Sequence, residues 1–293
     1  MRSILFHIGP VPIRAYGFML WIALVVGLMR TLRACGRGDI KPQHVVDVGL
    51  YGLLGGIASA HLASILLDFS YYWRNTSEIL GLWSGILAPS GGLRGLSFHG
   101  GLVGAVGVAI LYCRRRGISF GAMADLCSPG LALGYAIARI GCFLNGCCQG
   151  IPTNLPWAVS FHLDAVSGEL GPPSHPTQLY AAAAGILIYI ALVVIEKRRR
   201  FVGQVFLSYL AAYSVYRFLI EFLRRGVSAE IAFAGITEAQ VVSLFVLAVA
   251  GVLLLTKSKR RASPDVRTPV REMSSRCEVA ATDGGGVHDP DGG

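Results

Sequence analysis

Long apolar runs separated by short basic clusters are the main pattern along this chain. A helix rises about 1.5 Å per residue, so about 20 mostly apolar residues cross the roughly 30 Å hydrocarbon core of a bilayer. Suitable runs occupy Ala15 to Met29, Val45 to Leu67, Gly95 to Cys113, Ala122 to Phe143, Pro176 to Ile195, Phe201 to Phe222 and Ile236 to Thr256. The pattern predicts an all-α fold, a polytopic membrane helical bundle with about seven transmembrane helices.

The basic residues between the runs predict how the chain is inserted. Lys and Arg in short loops are retained on the cytoplasmic side of a membrane. Fifteen of them follow the first, third, fifth and seventh runs, whereas six lie beside the opposite ends. We therefore expect the N-terminus outside and the C-terminus in the cytoplasm.

The segments outside the runs predict the domain organisation. We expect residues 1–261 to form one transmembrane domain, with external loops at about 68–94 and 145–175 whose tryptophans suit the lipid headgroup level. Residues 262–293 are rich in Ser, Pro, Asp and Gly and have no apolar periodicity. This composition predicts a disordered cytoplasmic tail.

Composition supports a membrane protein and excludes other classes. Of the 293 residues, 53% are apolar and 15% are charged, and the mean hydropathy is +0.56, whereas soluble domains carry about 25% charge. The net charge of +9 comes from the loop clusters, and no stretch interleaves basic and aromatic residues as a nucleic-acid surface does. We expect membrane lipid, and no nucleic acid, as a partner.

Charged residues inside the predicted spans are the first candidates for function, because they are costly there and tend to face a site. Arg139 lies near the outer end of the fourth run, with Tyr135 and Cys142 on its helix face and no carboxylate at pairing distance on its own helix. Arg217 and Glu221 lie four apart in the sixth run and can meet on one face. That pair is equally compatible with a functional role and with a structural ion pair.

A histidine at the start of the third run is a further candidate. His99 stands in the string SFHGG, where Gly100 and Gly104 have the small-xxx-small spacing that lets helices approach. Such a stretch can place an imidazole and backbone N–H groups beside an anion. A structural, hydrogen-bonded histidine is the alternative.

The cysteines near the fourth run invite a metal interpretation, which their spacing does not favour. Cys142, Cys147 and Cys148 form C-x4-CC, and structural zinc sites take two ligand pairs. We expect no metal and no soluble cofactor.

The outer ends of several spans carry cations, which indicates an anionic phospholipid headgroup as ligand. A membrane transporter or channel for a small anion is the alternative, since intramembrane arginines also line substrate pathways. Transporters often show interrupted spans at corresponding positions of two halves, and the two halves of this sequence show no such correspondence.

Five strings in this sequence are similar to those of one enzyme family: IGPVPIRAYG, SFHGGLVG, ARIGCFLNGCCQG, HPTQLY and YRFLIEFLRRG. In these strings and their order the chain resembles the prolipoprotein diacylglyceryl transferases. The resemblance implies transfer of the diacylglyceryl group from phosphatidylglycerol to the thiol of the lipobox cysteine in a prolipoprotein signal peptide, with release of glycerol 1-phosphate. This is the first step of bacterial lipoprotein maturation, so the implied location is the bacterial cytoplasmic (inner) membrane.

The resemblance also implies roles for individual residues. The implied catalytic residues are Tyr16, His99, Arg217 and Glu221. The implied phosphatidylglycerol-binding residues are Gly100, Arg139, Asn145 and Gly150. Either His99 or Tyr16 is the implied base. The sequence departs from the commoner family pattern where Cys142 replaces Asn and Cys147 replaces Glu.

Overall fold

The chain folds mainly into long helices. A computed structural model describes residues 4–8, 11–35, 40–76, 97–161, 170–224, 231–233 and 236–262. The helices are α1 (Ala15–Cys35), α2 (Pro42–Leu67), α3 (Phe69–Arg74), α4 (Phe98–Arg115), α5 (Phe120–Asn145), α6 (Thr177–Lys197), α7 (Gln204–Glu221) and α8 (Glu238–Ala262). Apart from the six-residue α3, each helix lies on one of the predicted runs.

Five of these helices are long and apolar enough to cross a membrane: α1, α2, α5, α6 and α8. The multi-pass helical membrane protein predicted from the sequence is therefore confirmed, whereas seven crossings remain a prediction. The other two long helices are more polar. Two arginines, Arg114 and Arg115, lie in the last turn of α4, and α7 carries Arg217, Glu221 and several tyrosines.

Short strands are an addition that the all-α prediction missed. Strands β1 (Ile4–Ile8) and β2 (Val11–Arg14) form an antiparallel pair before α1, and β3 (Ile231–Phe233) pairs antiparallel with β4 (Ile236–Thr237) before α8. These segments are rich in β-branched residues and too short to span a bilayer as helices. The fold is mostly helical, as predicted, and the two hairpins are short additions to the helical bundle.

Helix α1 packs along α5 in antiparallel fashion through small residues. A Cβ added to Gly130 would lie 2.6 Å from the carbonyl oxygen of Gly27, and one added to Gly141 would lie 2.8 Å from the Cβ of Met19. Small residues let the backbones approach closely, which is the main means of helix association in lipid. The antiparallel order brings the start of α1 to the end of α5.

Helices α5 and α7 run parallel in a fixed register. The Asp125 carboxylate on α5 accepts hydrogen bonds from the amides of Gly203 (2.7 Å) and Phe206 (2.8 Å) at the start of α7. Near the other end, the hydroxyl of Tyr135 donates to that of Tyr216 at 3.0 Å. Phe206 and Tyr216 each follow their α5 partner by 81 residues. Residues that lie level on the two helices are therefore separated by the same number of positions at both contacts.

Large apolar side chains cover the outer faces of several helices. Trp21 on α1 is 60% exposed and Phe245 on α8 is 69% exposed. Such exposure is unusual on a soluble monomer and suits a surface that faces lipid.

The predicted loops and tail fall only partly within the described residues. The loop at 68–94 is described up to residue 76 and begins with α3, and the loop at 145–175 is described except for 162–169. Close packing divides the chain into Met1–Leu254 and Leu255–Gly293, and only the last turns of α8 are described in the second unit. The disordered tail at 262–293 lies almost wholly outside the described residues and stays a prediction.

Candidate active site

Arg139 lies among tyrosine rings near the end of α5. Its guanidinium carbon is 4.9 Å from the ring centroid of Tyr135, one turn earlier. Tyr135 in turn stands edge-on to Tyr213, with centroids 5.5 Å apart, and hydrogen-bonds Tyr216. The prediction that Tyr135 shares a face with Arg139 is confirmed, and the contact is a cation–π interaction.

Arg139 has no acidic counterion in the described part of the chain. The ion pairs there join Arg30 to Glu196 and Arg217 to Glu221, and no carboxylate lies within 4 Å of the half-buried Arg139. A partly desolvated guanidinium without a carboxylate partner attracts a mobile anion strongly, because the low dielectric strengthens the interaction. The position can therefore bind a phosphate group.

Arg217 and Glu221 pair as their spacing predicts. The Arg217 guanidinium contacts a carboxylate oxygen of Glu221, whose side chain is fully buried. The second carboxylate oxygen, Oε1, has no hydrogen-bond partner in the part of the chain that the structure describes. The constant register between α5 and α7 puts Arg139 level with Ile220, and Tyr213 interacts electrostatically with both Arg139 and Arg217.

Tyr16 reaches the same region from α1. It is the second residue of the helix and is 40% exposed, and its hydroxyl interacts electrostatically with Arg139 and with the thiols of Cys142, Cys147 and Cys148. The close α1–α5 crossing holds it there. The structure therefore brings together Tyr16 and Arg139, which lie far apart in the sequence.

The chain reverses direction directly after α5. Asn145 is the last, exposed residue of the helix, and Gly146 caps it in the left-handed conformation, with φ of +76°. Left-handed glycine is a common way to end a helix. The turn sends the following residues back against the helix end.

Gly150 packs this returning segment against its neighbours. Its amide donates to the carbonyl oxygen of His175 at 3.0 Å, and a Cβ added to it would lie 2.8 Å from the Cβ of His175 and from the Cγ2 of Thr177. The buried site has no room for a side chain. Close packing therefore explains why residue 150 is a glycine. The ligand-binding role implied for Gly150 and Asn145 stays a prediction.

Three thiols meet at the turn. The sulfur atoms of Cys142, Cys147 and Cys148 all lie within 4.8 Å of one another. Hydrogen bonds from the other two thiols, and then the guanidinium charges of Arg224 and Arg139, hold the pKa of the Cys148 thiol well below its usual range. The sequence spacing did not predict this cluster, because the reversal at Gly146 is what folds the cysteine pair back.

His99 and Gly100 belong to the pairing of α4 with α2. Gly100 is packed against α2, where an added Cβ would lie 3.0 Å from the carbonyl oxygen of Ser59, and its amide donates to the N-cap oxygen of Ser97 at 3.4 Å. His99 is exposed in the first turn of α4. Close helix packing therefore explains why residue 100 is a glycine. The catalytic role implied for His99 and the binding role implied for Gly100 stay predictions.

Comparison with known proteins gives one consistent result. Residues 3–256 match the family model described as prolipoprotein diacylglyceryl transferase. A phosphatidylglycerol–prolipoprotein diacylglyceryl transferase of Bordetella parapertussis is 36% identical over 261 residues, which are 85% of this chain and 93% of the relative. The protein of the same name from Geobacillus kaustophilus is 34% identical over 85% of this chain and 91% of its own length. That from Finegoldia magna is 30% identical over 89% and 97%.

The match extends over every helix that builds the Arg139 region, from α1 to α7, and over most of α8. The chain belongs to the prolipoprotein diacylglyceryl transferase family.

Proposed function

We propose that this chain transfers the diacylglyceryl group of phosphatidylglycerol to the lipobox cysteine thiol of prolipoproteins, at the bacterial cytoplasmic membrane. The family match and the names of its relatives support the reaction. The apolar helices support a multi-pass membrane enzyme. The single structural observation that carries the proposal is the half-buried Arg139, which pairs with no carboxylate among the described residues.

The reaction has two chemical requirements. A carbon–sulfur bond forms at the lipid glycerol carbon while the bond from that carbon to the phosphate oxygen breaks. Glycerol 1-phosphate leaves with the electron pair of the broken bond, so negative charge develops on the leaving oxygen. The thiol must also lose its proton to a base. Cations placed at the phosphate and a proton acceptor placed at the sulfur therefore accelerate transfer.

Arg139 and Arg217 meet the first requirement in this proposal. Arg139 binds the phosphate, and the surrounding tyrosine rings keep water away from the guanidinium, which strengthens its attraction for the anion. Glu221 holds Arg217 in one orientation, so that its remaining N–H groups can be directed at the same phosphate. Glu221 is thus a positioning residue for Arg217.

Tyr16 or His99 meets the second requirement. The electrostatic contact between Tyr16 and Arg139 supports Tyr16 as the group that orients or deprotonates the incoming thiol. His99 has the more suitable side chain for accepting a proton near neutral pH. Separate Tyr16→Phe and His99→Gln variants distinguish the two assignments.

The proposed site faces the outer leaflet. The start of α1, the end of α5, the start of α6 and the end of α7 all contribute to the Arg139 region, so these helix ends lie on one side. The basic clusters follow the opposite ends. The retention of basic loops in the cytoplasm then puts the site outside, where phosphatidylglycerol and a translocated signal peptide meet.

Replacement of Arg139 by Gln tests the proposal. The variant loses the phosphate contact, and we expect transfer to a lipobox peptide to fall by about 100-fold or more, as for the loss of one transition-state donor. Arg30→Gln is the matched control, because Arg30 is also half-buried but pairs with Glu196 near the other end of α1. Transfer by a folded Arg139→Gln variant at the control's rate would contradict the assigned role.

A further inference from the structure

The three-thiol cluster at the end of α5 has the dimensions of a metal site. Zinc binds thiolates at about 2.3 Å, so two sulfurs on one ion are about 3.8 Å apart at tetrahedral angles and never more than about 4.6 Å. The sulfurs of Cys142, Cys147 and Cys148 all lie within 4.8 Å of one another. Small side-chain rotations therefore suffice to place all three on one ion.

The backbone that carries two of these thiols is firmly held. The amide nitrogen Nε2 of Gln178 donates to the carbonyl oxygen of Cys147, and the hydroxyl of Thr177 donates to that of Cys148, both at 2.7 Å. Cys148 has φ of +64°, an unusual conformation for a residue other than glycine. Such backbone strain persists only where the surroundings enforce it, and it is typical of ligand clamps and active sites.

The surroundings also fit the charge of a metal–thiolate complex. Three thiolates around a divalent ion leave one net negative charge, and the guanidinium groups of Arg139 and Arg224 both act electrostatically on Cys148. Within the described ranges, the buried side-chain oxygen Oε1 of Gln178 has no hydrogen-bond partner, and the whole residue is only 1% exposed. A water molecule in the fourth position of a tetrahedral ion could donate to this oxygen.

We propose that Cys142, Cys147 and Cys148 form a binding site for a thiophilic divalent metal ion of the zinc type, with three sulfur ligands and a fourth position open to water. The spacing C-x4-CC did not predict a metal site, because it lacks the two ligand pairs that structural zinc sites have in their sequences. The turn at Gly146 supplies the convergence that the spacing lacks. The proposal does not depend on the transfer reaction.

The test uses the full-length protein in detergent, reduced and stripped of metal, and then equilibrated with ZnCl2 or CdCl2. We expect elemental mass spectrometry to detect one equivalent of bound metal per chain. We also expect thiolate-to-cadmium charge-transfer absorption and a rise in the midpoint of thermal unfolding, because a ligand that binds only the folded state stabilises it.

Single substitutions identify the ligands. Cys142→Ser, Cys147→Ser and Cys148→Ser should each weaken binding by at least about tenfold, since loss of even an outer-shell partner has that effect. Cys127→Ser is the matched control, because this cysteine lies on the same helix outside the cluster. It should bind one equivalent like the unsubstituted protein.

Three results would overturn the proposal. The first is binding of less than one equivalent of metal per chain by the reduced, unsubstituted protein. This result does not depend on the folding of any variant. The second is equal loss of binding in the Cys127→Ser control. The third is a disulfide within the cluster that persists under the reducing conditions used, because it would remove two of the three ligands.

Discussion

Two of the half-buried arginines differ in whether a carboxylate of the described residues neutralises them. Arg217 is paired with the buried Glu221, whereas Arg139 is surrounded by tyrosine rings and thiols. A paired guanidinium is largely satisfied within the protein, so its removal affects stability. An unpaired one is available to a ligand, so its removal affects binding more than folding.

Substitutions of the Arg217–Glu221 pair separate its two possible roles. Arg217→Met leaves a buried carboxylate without its counterion, which should cost about 3–5 kcal/mol of stability. Adding Glu221→Met removes the second charge, so the double variant should recover most of the thermal stability. Because the proposed reaction uses Arg217 at the phosphate, the recovered double variant should stay inactive in transfer. Full activity of a stable double variant would show that the pair is only structural.

At the scale of elements, glycines fix how α1 lies on α5. The start of α1 carries Tyr16 and the end of α5 carries Arg139, so the distance between these groups depends on the crossing of the two helices. Gly27 and Gly130 face each other at the crossing, where a Cβ added to either residue would lie less than 3 Å from the carbonyl oxygen of the other. Separation of the helices would therefore disturb both packing and the site.

Gly130→Ala tests this dependence. The added Cβ would lie 2.6 Å from the carbonyl oxygen of Gly27, and relief of such overpacking should cost about 1–3 kcal/mol. We expect a lower midpoint of thermal unfolding in detergent and slower transfer. Gly107→Ala, in α4, is the control, because its Cβ would meet no described atom within 4 Å. Equal stability of the two variants would contradict the proposed close crossing.

The hydrophobic pattern predicted where helices form but not how they pair. Apolar runs depend on local composition, and all seven positions carry a helix. The parallel register of α5 and α7 instead depends on Asp125 and on Tyr135 with Tyr216, contacts between residues about 80 apart in the chain. A single sequence contains no signal for such contacts, and the β1–β2 hairpin lies outside the apolar runs altogether.

The site could be predicted to a similar extent. The predicted intramembrane positions of Arg139, Arg217 and Glu221 singled them out, and the spacing of the last two predicted their contact. The thiol cluster was missed because its geometry arises from a turn. The unpaired oxygen of Gln178 was missed too, because Gln178 meets Cys147 only after the chain folds.

At the scale of the whole molecule, the orientation in the membrane rests on the distribution of basic residues. The site and the basic clusters lie at opposite helix ends, which predicts a site outside and clusters in the cytoplasm. The more polar helix α7 is decisive for this arrangement. The basic loops predict that Arg217 and the end of α5 both lie on the outer side. They could not both lie there if α7 did not cross the membrane.

Reporter fusions on either side of α7 test its crossing. Alkaline phosphatase is active only outside the cytoplasm, and green fluorescent protein fluoresces well only inside it. We expect fusions after Arg200 to give fluorescence without phosphatase activity, and fusions after Arg224 to give the reverse. The same reporter result at both positions would mean that α7 does not cross.

The central claim is tested most directly by the transfer reaction itself. The purified protein is supplied with phosphatidylglycerol labelled in its diacylglyceryl group and with a lipobox peptide, and a peptide with Cys replaced by Ser is the control. We predict label on the cysteine peptide alone, together with an equal amount of released glycerol 1-phosphate. No label on the cysteine peptide, with the protein folded and lipid present, would contradict the proposed function.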